Sequence, residues 1–167
     1  KQIKTDEFGI NTTHLREICV QFPIRILYIT PHHHYPTTVS LSSERRIELI
    51  KLSKEFGFVI IEDDYDFDFH YNNHPHLPLT STDQNGMVVY TVKFGHYLAP
   101  GYRIGFLVAP EDFIKKKKKH LAILDQQVDP FIEQVLGEMI DEGEINRILK
   151  KLRKQYKERR DYLCYKI

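Results

Sequence analysis

The sequence has little of what marks secreted, membrane-spanning or strongly basic proteins. Its 167 residues include two cysteines, Cys19 and Cys164, which lie far apart and show no metal-ligand spacing. This usage predicts a reducing, cytoplasmic setting without disulfide bonds. No apolar run approaches the ~20 residues that a membrane helix needs, and the first residues form no signal-peptide pattern. The formal net charge is +1, so bulk electrostatics give no reason to expect a nucleic-acid or membrane partner.

The residues that are present predict a folded α/β domain. Hydrophobic residues make up 41% of the chain and charged residues 28%, enough for a core. The apolar run Ile24–Thr30 predicts a buried parallel strand. Ser42 offers an N-cap for a helix over residues 43–56, and Gly57 stands where a helix ends. A second buried strand follows over 58–62, so this stretch predicts a right-handed βαβ unit.

The rest of the chain moves from strands to helices. Strands are expected near 87–92 and 103–108, followed by a helix near 111–124. Asp129 and Pro130 predict the start of another helix, and Gly143 separates it from a long, highly charged one. The fold class is therefore α/β, with a mostly parallel sheet, flanking helices and a long final helix. In such a sheet the strand-end loops converge on one side; here they are 31–38, 63–71 and 93–101.

An acidic cluster over residues 62–66 ends one of these buried strands. Carboxylates are costly to bury unless paired, so we expect at least one to face a cleft and a positive partner; a solvated loop is the plainer interpretation. Six histidines nearby suggest a metal site, but three of them share one loop and none has a recognised ligand spacing. We therefore predict no metal site. The six are His32, His33, His34, His70, His74 and His76.

Two basic features have different interpretations. The run Lys115–Lys119 would spread around a helix axis, which favours a solvated helical surface over a phosphate-binding patch. Arg103 follows a Pro-Gly turn at the start of a strand, where a guanidinium can bind a phosphate with two hydrogen bonds. The alternative for Arg103 is an ion pair with one of the carboxylates at 62–66.

Three segments together resemble the large domain of fold-type I aminotransferases, which depend on pyridoxal phosphate (PLP). They are TPHHHYPT over 30–37, EDDYD over 62–66 and LAPGYRIG over 98–105. The resemblance is strongest to the aminotransferase-like domain of MocR-type regulators of the GntR family, in which it is fused to a winged-helix DNA-binding domain. Three further segments support it: 6–10, 44–46 and 156–160.

The resemblance implies roles for individual residues. Asp63 matches the aspartate that pairs with the pyridine nitrogen of PLP, where a carboxylate keeps the ring able to accept electrons. Tyr65 matches the residue that bonds the ring 3-oxygen, and His33 falls near that oxygen. Arg103 matches the phosphate-binding arginine. Lys93 stands in the same segment, in place of a serine of the family pattern, and is included among the cofactor-binding candidates.

The main departure from the family is at His96, which occupies the position of the Schiff-base lysine. An imidazole is not a primary amine, so it forms no Schiff base with PLP. Gly95 replaces another serine, and Thr38 replaces the glycine of the usual Pro-Thr-Gly turn. Any PLP is therefore expected to bind non-covalently or to have been lost. Lys93 is expected to form no adduct either, because an odd offset along a strand would point it away from His96, unless a turn at Gly95 redirects one of the two side chains.

The resemblance implies that residues 1–142 are a partial cofactor domain and that residues 143–167 lead toward an absent small domain. The first functional interpretation is an effector-sensing domain of a transcriptional regulator, unable to transaminate. It would form a homodimer, respond to PLP or a small amino compound, and contact DNA only through a domain absent from this chain. A second interpretation is an enzyme that uses His96 as a base, as in a sugar-dehydratase branch of the fold. A third is a degenerate dimerisation scaffold.

Overall fold

The structure is a computed structural model that describes residues 1–66, 68–71, 77–96, 98, 101, 103–124 and 129–167, without the side chain of His96. The described residues form two compact units. The first draws on residues 1–66, 76–92 and 106–116, and the second on residues 67–75, 93–105 and 117–167. No helix among the described residues is long and apolar enough to cross a membrane.

The first unit is built on a four-stranded sheet in the order β3-β4-β5-β6. A short antiparallel pair, β1 and β2, and the helix α1 precede β3, and the helix α2 connects β3 to β4. Strands β3 and β4 pair in parallel, as do β4 and β5. The bounds are β1 Thr5–Asp6, β2 Gly9–Ile10, α1 Thr12–Gln21, β3 Ile26–Ile29, α2 Ser43–Phe56, β4 Val59–Asp63, β5 Val88–Lys93 and β6 Gly105–Val108.

Helix α2 begins and ends at the residues that local chemistry favours. The Ser42 hydroxyl accepts a hydrogen bond from the Arg45 backbone N–H, which satisfies one of the unpaired donors of the first turn. Gly57 ends the helix in the left-handed conformation, with φ 70°, which glycine adopts without a Cβ penalty. Both caps confirm the predicted boundaries of this helix.

The two faces of the sheet have different surroundings. Register pairs Leu27 with Ile60 and Ile60 with Val88, and these side chains join the core of the first unit together with residues of α1 and α2. The alternate residues point to the other face, where Tyr28 pairs with Ile61. Helices α1 and α2 therefore pack on the face of the sheet that holds the core.

The second unit is mainly helical. Its core consists of Phe94, Ile104, Leu136, Ile145 and Leu149. The helices are α3 (Glu111–Ile123, whose first residues belong to the first unit), α4 (Pro130–Asp141) and α5 (Glu144–Lys166). The Asp129 side chain caps α4 by accepting from the Phe131 N–H. Gly143, at φ 74°, separates α4 from α5, as predicted.

The predicted fold class is confirmed, with two differences of detail. The strand predicted over 103–108 is observed only over Gly105–Val108. Helix α1 and the β1–β2 pair were not predicted. The division at residue 142 stays a prediction.

Candidate functional site

The carboxyl ends of β3, β4 and β5 bring the first group of candidate residues together. Because the strands are parallel, their carboxyl ends lie at the same edge of the sheet. His32 and His33 follow β3, and the sequence Glu62–Asp66 ends and follows β4. All of them belong to the first unit.

Asp63 is the last residue of β4, and only 7% of its surface is exposed. Its Oδ2 accepts a hydrogen bond of 2.6 Å from the Tyr28 hydroxyl. Desolvation of that hydroxyl and the bond to Asp63 raise the pKa of Tyr28 to about 12. Tyr28 is thus one neutral hydrogen-bond donor to this carboxylate.

Asp64 is buried and faces different neighbours. His32 Nδ1 lies 2.9 Å from Asp64 Oδ1, and the Tyr90 hydroxyl donates to Asp64 Oδ2 at 3.0 Å. His32 is itself buried. The positive partner expected for a carboxylate of this cluster stays a prediction.

His33 and Asp66 form a second imidazole–carboxylate pair. A hydrogen bond of 2.6 Å links His33 Nδ1 to Asp66 Oδ2. This bond raises the pKa of His33, and the negative charges of Asp66 and Asp64 raise it further, while burial opposes the shift. The Tyr65 hydroxyl donates to the His33 carbonyl at 3.0 Å. Residues His33 and Tyr65, predicted to approach the same ligand atom, are therefore neighbours in the structure.

Glu62 points into the core and fixes a distant segment of the chain. It is fully buried, and its two oxygens accept hydrogen bonds from the backbone N–H groups of Leu79 at 2.8 Å and Thr80 at 3.2 Å. Burial raises the pKa of Glu62, although these bonds oppose the shift. Its role in this structure is to anchor the chain.

Arg46 is a buried cation of the first unit. In the sequence it stands out only as part of the segment 44–46, which supports the family resemblance. Its guanidinium donates to three backbone carbonyls, those of Leu41 at 3.0 Å, Leu77 at 2.9 Å and Pro31 at 3.1 Å. Burial lowers the pKa of Arg46, and the charges of Glu62 and Asp64 oppose that shift. Arg46 therefore ties both ends of the loop between β3 and α2 to the segment at Leu77, and it offsets negative charge at the strand ends.

Three buried groups also stand at a spacing that a metal ion could bridge. His32, Glu62 and Asp64 each offer a ligand atom, and these atoms lie within 4.8 Å of one another. The contacts of Glu62 with two backbone amides, and of Asp64 with His32 and Tyr90, account for the cluster without an ion.

The remaining candidates belong to the second unit. Lys93, the last residue of β5, is exposed. Residues Phe94–His96 form a short 3₁₀ turn, so the strand alternation expected to separate Lys93 from His96 does not extend to His96. Arg103 is exposed and has φ 45°, in the left-handed region. The side chain of His96 and the residues Tyr97, Ala99, Pro100 and Tyr102 lie outside the described residues.

No family model matches the chain, but solved structures show its fold. A kynurenine aminotransferase from Pyrococcus horikoshii, crystallised in complex with PMP, has a TM-score of 0.90 and is 29% identical. The match covers 96% of this chain and 41% of that one. The chain therefore has the fold of one part of a fold-type I PLP aminotransferase.

Curated proteins show the same relationship in sequence. Aromatic-amino-acid aminotransferase 1 of Thermococcus litoralis is 29% identical over 96% of this chain and 40% of its own length. The HTH-type transcriptional regulator YdeL of Bacillus subtilis is 32% identical over 95% of this chain and 33% of its own length. The chain is thus a homologue of aminotransferases and of MocR-type regulators with aminotransferase-like domains, and it spans between a third and two fifths of these two relatives.

Proposed function

We propose that this chain is the effector-sensing, aminotransferase-like portion of a transcriptional regulator and that it does not transaminate. The observation that carries the proposal is His96, which stands where the family has the lysine that holds PLP. Transamination needs a primary amine at that position, and imidazole is not one. Homology to both enzymes and regulators is compatible with a domain that keeps the fold and has lost the reaction.

The ring-binding side of the site fits PLP. Asp63 is a nearly buried carboxylate at a strand end, and its hydrogen-bond donor, Tyr28, is neutral. In this proposal the Asp63 carboxylate would pair with a protonated pyridine nitrogen. Tyr65 and His33 lie beside each other, as two groups near one ring oxygen require. When bound, PLP supplies an electron-accepting ring.

The residue that would meet the PLP aldehyde does not fit covalent attachment, because His96 stands at the lysine position and an imidazole is not a primary amine. In this proposal Asp63 would hold the ring nitrogen, Tyr65 would turn its hydroxyl toward the 3-oxygen, and Arg103 would donate to the phosphate. Lys93 remains a further cofactor-binding candidate. The ligand is then retained by reversible contacts alone, which suits a sensor because the bound fraction follows the concentration of free ligand.

The partners follow from this role. A small amino compound, or PLP itself, is the effector, and DNA is contacted by an HTH region rather than by the residues of this chain. We also propose a cytoplasmic homodimer. Large apolar side chains are exposed in each unit, among them Ile26 in the first and Phe131 in the second, and such surfaces favour association. Sedimentation should show a mass that rises with concentration; a constant monomer mass would contradict self-association.

The test of the proposal is reductive trapping. The chain is incubated with PLP and treated with borohydride, and the peptide spanning residues 93–103 is analysed by mass spectrometry. A dialysed sample measures reversible binding. We expect PLP to bind, to be removed by dialysis and to leave no pyridoxyl adduct. Lys93→Ala is the matched control for chance modification of that lysine.

Two outcomes would overturn the proposal. An adduct on Lys93 that is lost in Lys93→Ala would show that the attachment site has moved within the turn, and conversion of PLP to pyridoxamine phosphate by an amino donor would then support the enzyme interpretation. Failure of the chain to bind PLP or any amino compound would favour a scaffold without a ligand.

A further inference from the structure

Tyr28 and Asp63 form a contact that joins two strands on the face of the sheet opposite the core. Tyr28 pairs with Ile61 across β3 and β4, and Asp63 lies two residues further along β4. Side chains two residues apart point to the same face, so the tyrosine reaches the carboxylate diagonally. Its hydroxyl lies 2.6 Å from Asp63 Oδ2, the short distance typical of a hydrogen bond to an ionised acceptor.

The ring of Tyr28 contributes little to packing. The residue is 60% exposed, whereas Asp63 is 7% exposed. An exposed tyrosine in an apolar strand is ordinarily replaceable by phenylalanine at small cost. The specific contact of Tyr28 is therefore made by its hydroxyl and is directed at the carboxylate.

The hydroxyl is a donor at every physiological pH. Its pKa is raised to about 12 by desolvation and by the bond to Asp63, so the hydroxyl remains protonated at neutral pH. A donor fixed on one oxygen restricts rotation of the carboxyl group about its Cβ–Cγ bond. That restriction determines the direction in which the carboxylate presents its charge.

We propose that Tyr28 is a positioning residue that holds the Asp63 carboxylate in the orientation that binds the ring nitrogen of a pyridine ligand. This inference rests on the proposed function, since it names the residue that prepares Asp63 for the ligand. Tyr28 itself touches Asp63 and acts on the ligand only through it. Preorganisation of this kind lowers the cost of ordering a binding group and so raises affinity.

The experiment compares two ligands in four proteins. The ligands are PLP and its deaza analogue, in which a carbon replaces the ring nitrogen; the proteins are the unaltered chain, Tyr28→Phe, Asp63→Asn and Tyr90→Phe. We expect Tyr28→Phe to weaken PLP binding about 10-fold, the typical effect of one hydrogen bond to a charged group. The deaza analogue should bind the unaltered chain and Tyr28→Phe equally, because it offers no ring nitrogen.

Tyr90→Phe is the matched control. It also removes a hydroxyl bonded to a strand-end carboxylate, but that carboxylate is Asp64, which lies with the core. Tyr90→Phe should change the affinities for PLP and for the deaza analogue by the same factor. Equal losses for both ligands in Tyr28→Phe would show that Tyr28 supports only the fold, and no loss for PLP would equally overturn the proposal.

A measurement without ligand separates this inference from the proposed function. In protein labelled with ¹³C-tyrosine, the Tyr28 resonance is assigned from Tyr28→Phe and titrated at high pH. Asp63→Asn should lower the pKa of Tyr28, and an unchanged titration would overturn the proposed contact. If the unaltered chain does not bind PLP, the proposed function fails together with the ring-nitrogen role, while the titration still decides whether Tyr28 holds Asp63.

Discussion

Asp63 and Asp64 are adjacent in the chain, yet their side chains make contacts on opposite faces of one sheet. Asp63 accepts from Tyr28 on the face away from the core, and Asp64 contacts His32 and Tyr90 on the core side. The alternation of side chains along an extended strand produces this separation. The two neighbouring carboxylates are thereby held by different partners on the two faces.

Replacing these two residues should therefore have different effects. Asp64→Ala removes an acceptor from buried groups on two other strands or loops and should reduce the free energy of unfolding by about 3 kcal/mol. Asp63→Ala should cost less, because the exposed Tyr28 can turn its hydroxyl to water. Urea unfolding followed by circular dichroism measures both. Equal losses in the two variants would contradict the division of roles.

Replacing Thr38 with glycine, the residue that the family has at this position, should increase the stability of the chain. Thr38 adopts φ 61°, a left-handed conformation that is costly for a β-branched residue. Thr38→Gly relieves this strain and should raise the free energy of unfolding by about 0.5–1 kcal/mol, after allowing for the greater freedom of glycine in the unfolded chain. Thr37→Gly is the control and should destabilise, since its hydroxyl bonds His34. A loss of stability in Thr38→Gly would refute the prediction.

The His33–Asp66 pair should make stability depend on pH near neutrality. Its hydrogen bond raises the pKa of His33 above the ordinary value of 6.5. The contribution of the pair to the free energy of unfolding is therefore complete below that value and is lost as pH rises through the pKa of the folded state. Its size is about 0.5–1 kcal/mol. Asp66→Asn and His33→Gln should both reduce the difference in the free energy of unfolding between about pH 5 and pH 9. An unaltered pH profile in both variants would show that the pair does not couple to folding.

The Asp6–Arg45 pair should make the free energy of unfolding depend on pH under acidic conditions. Hydrogen bonds from the Arg45 guanidinium, and from the Phe8 backbone N–H, lower the pKa of Asp6 from 3.8 to about 2. Its contribution is present above the first value and is lost as pH falls through the second. Asp6→Asn should therefore weaken acid sensitivity between these limits, measured by the pH dependence of the urea midpoint. Glu7→Gln, one residue away, is the control and should leave that dependence unchanged.

The sequence predicted those elements whose signals are local. The apolar run at β3, the Ser42 and Gly57 caps of α2, and the Asp129 cap of α4 each depend on a few adjacent residues. Helix α1 was missed because its sequence, TTHLREICVQ, combines β-branched residues with weak helix formers. Packing of Leu15 and Cys19 into the core compensates for that weak preference.

The candidate site was predictable only as a set of positions. Family resemblance selected Asp63, Tyr65 and His33, and the structure brings those three to one sheet edge. Tyr28 was not selected, because its contact with Asp63 depends on the parallel register of two strands whose residues are 35 apart in the chain. The one available signal was a polar-ended residue within an otherwise apolar strand.

The collection of carboxylates at the ends of the strands has an electrostatic consequence for any ligand that enters there. Among the described residues of that edge in the first unit, four carboxylates outnumber the basic groups, which are the Arg46 guanidinium and the imidazoles of His32 and His33. The carboxylates are those of Glu62, Asp63, Asp64 and Asp66. The resulting negative potential attracts the cationic part of a dipolar molecule and repels its anionic part. Under the proposed function, this potential would orient a pyridoxyl phosphate before contact, with its ring toward the edge and its phosphate directed away from it.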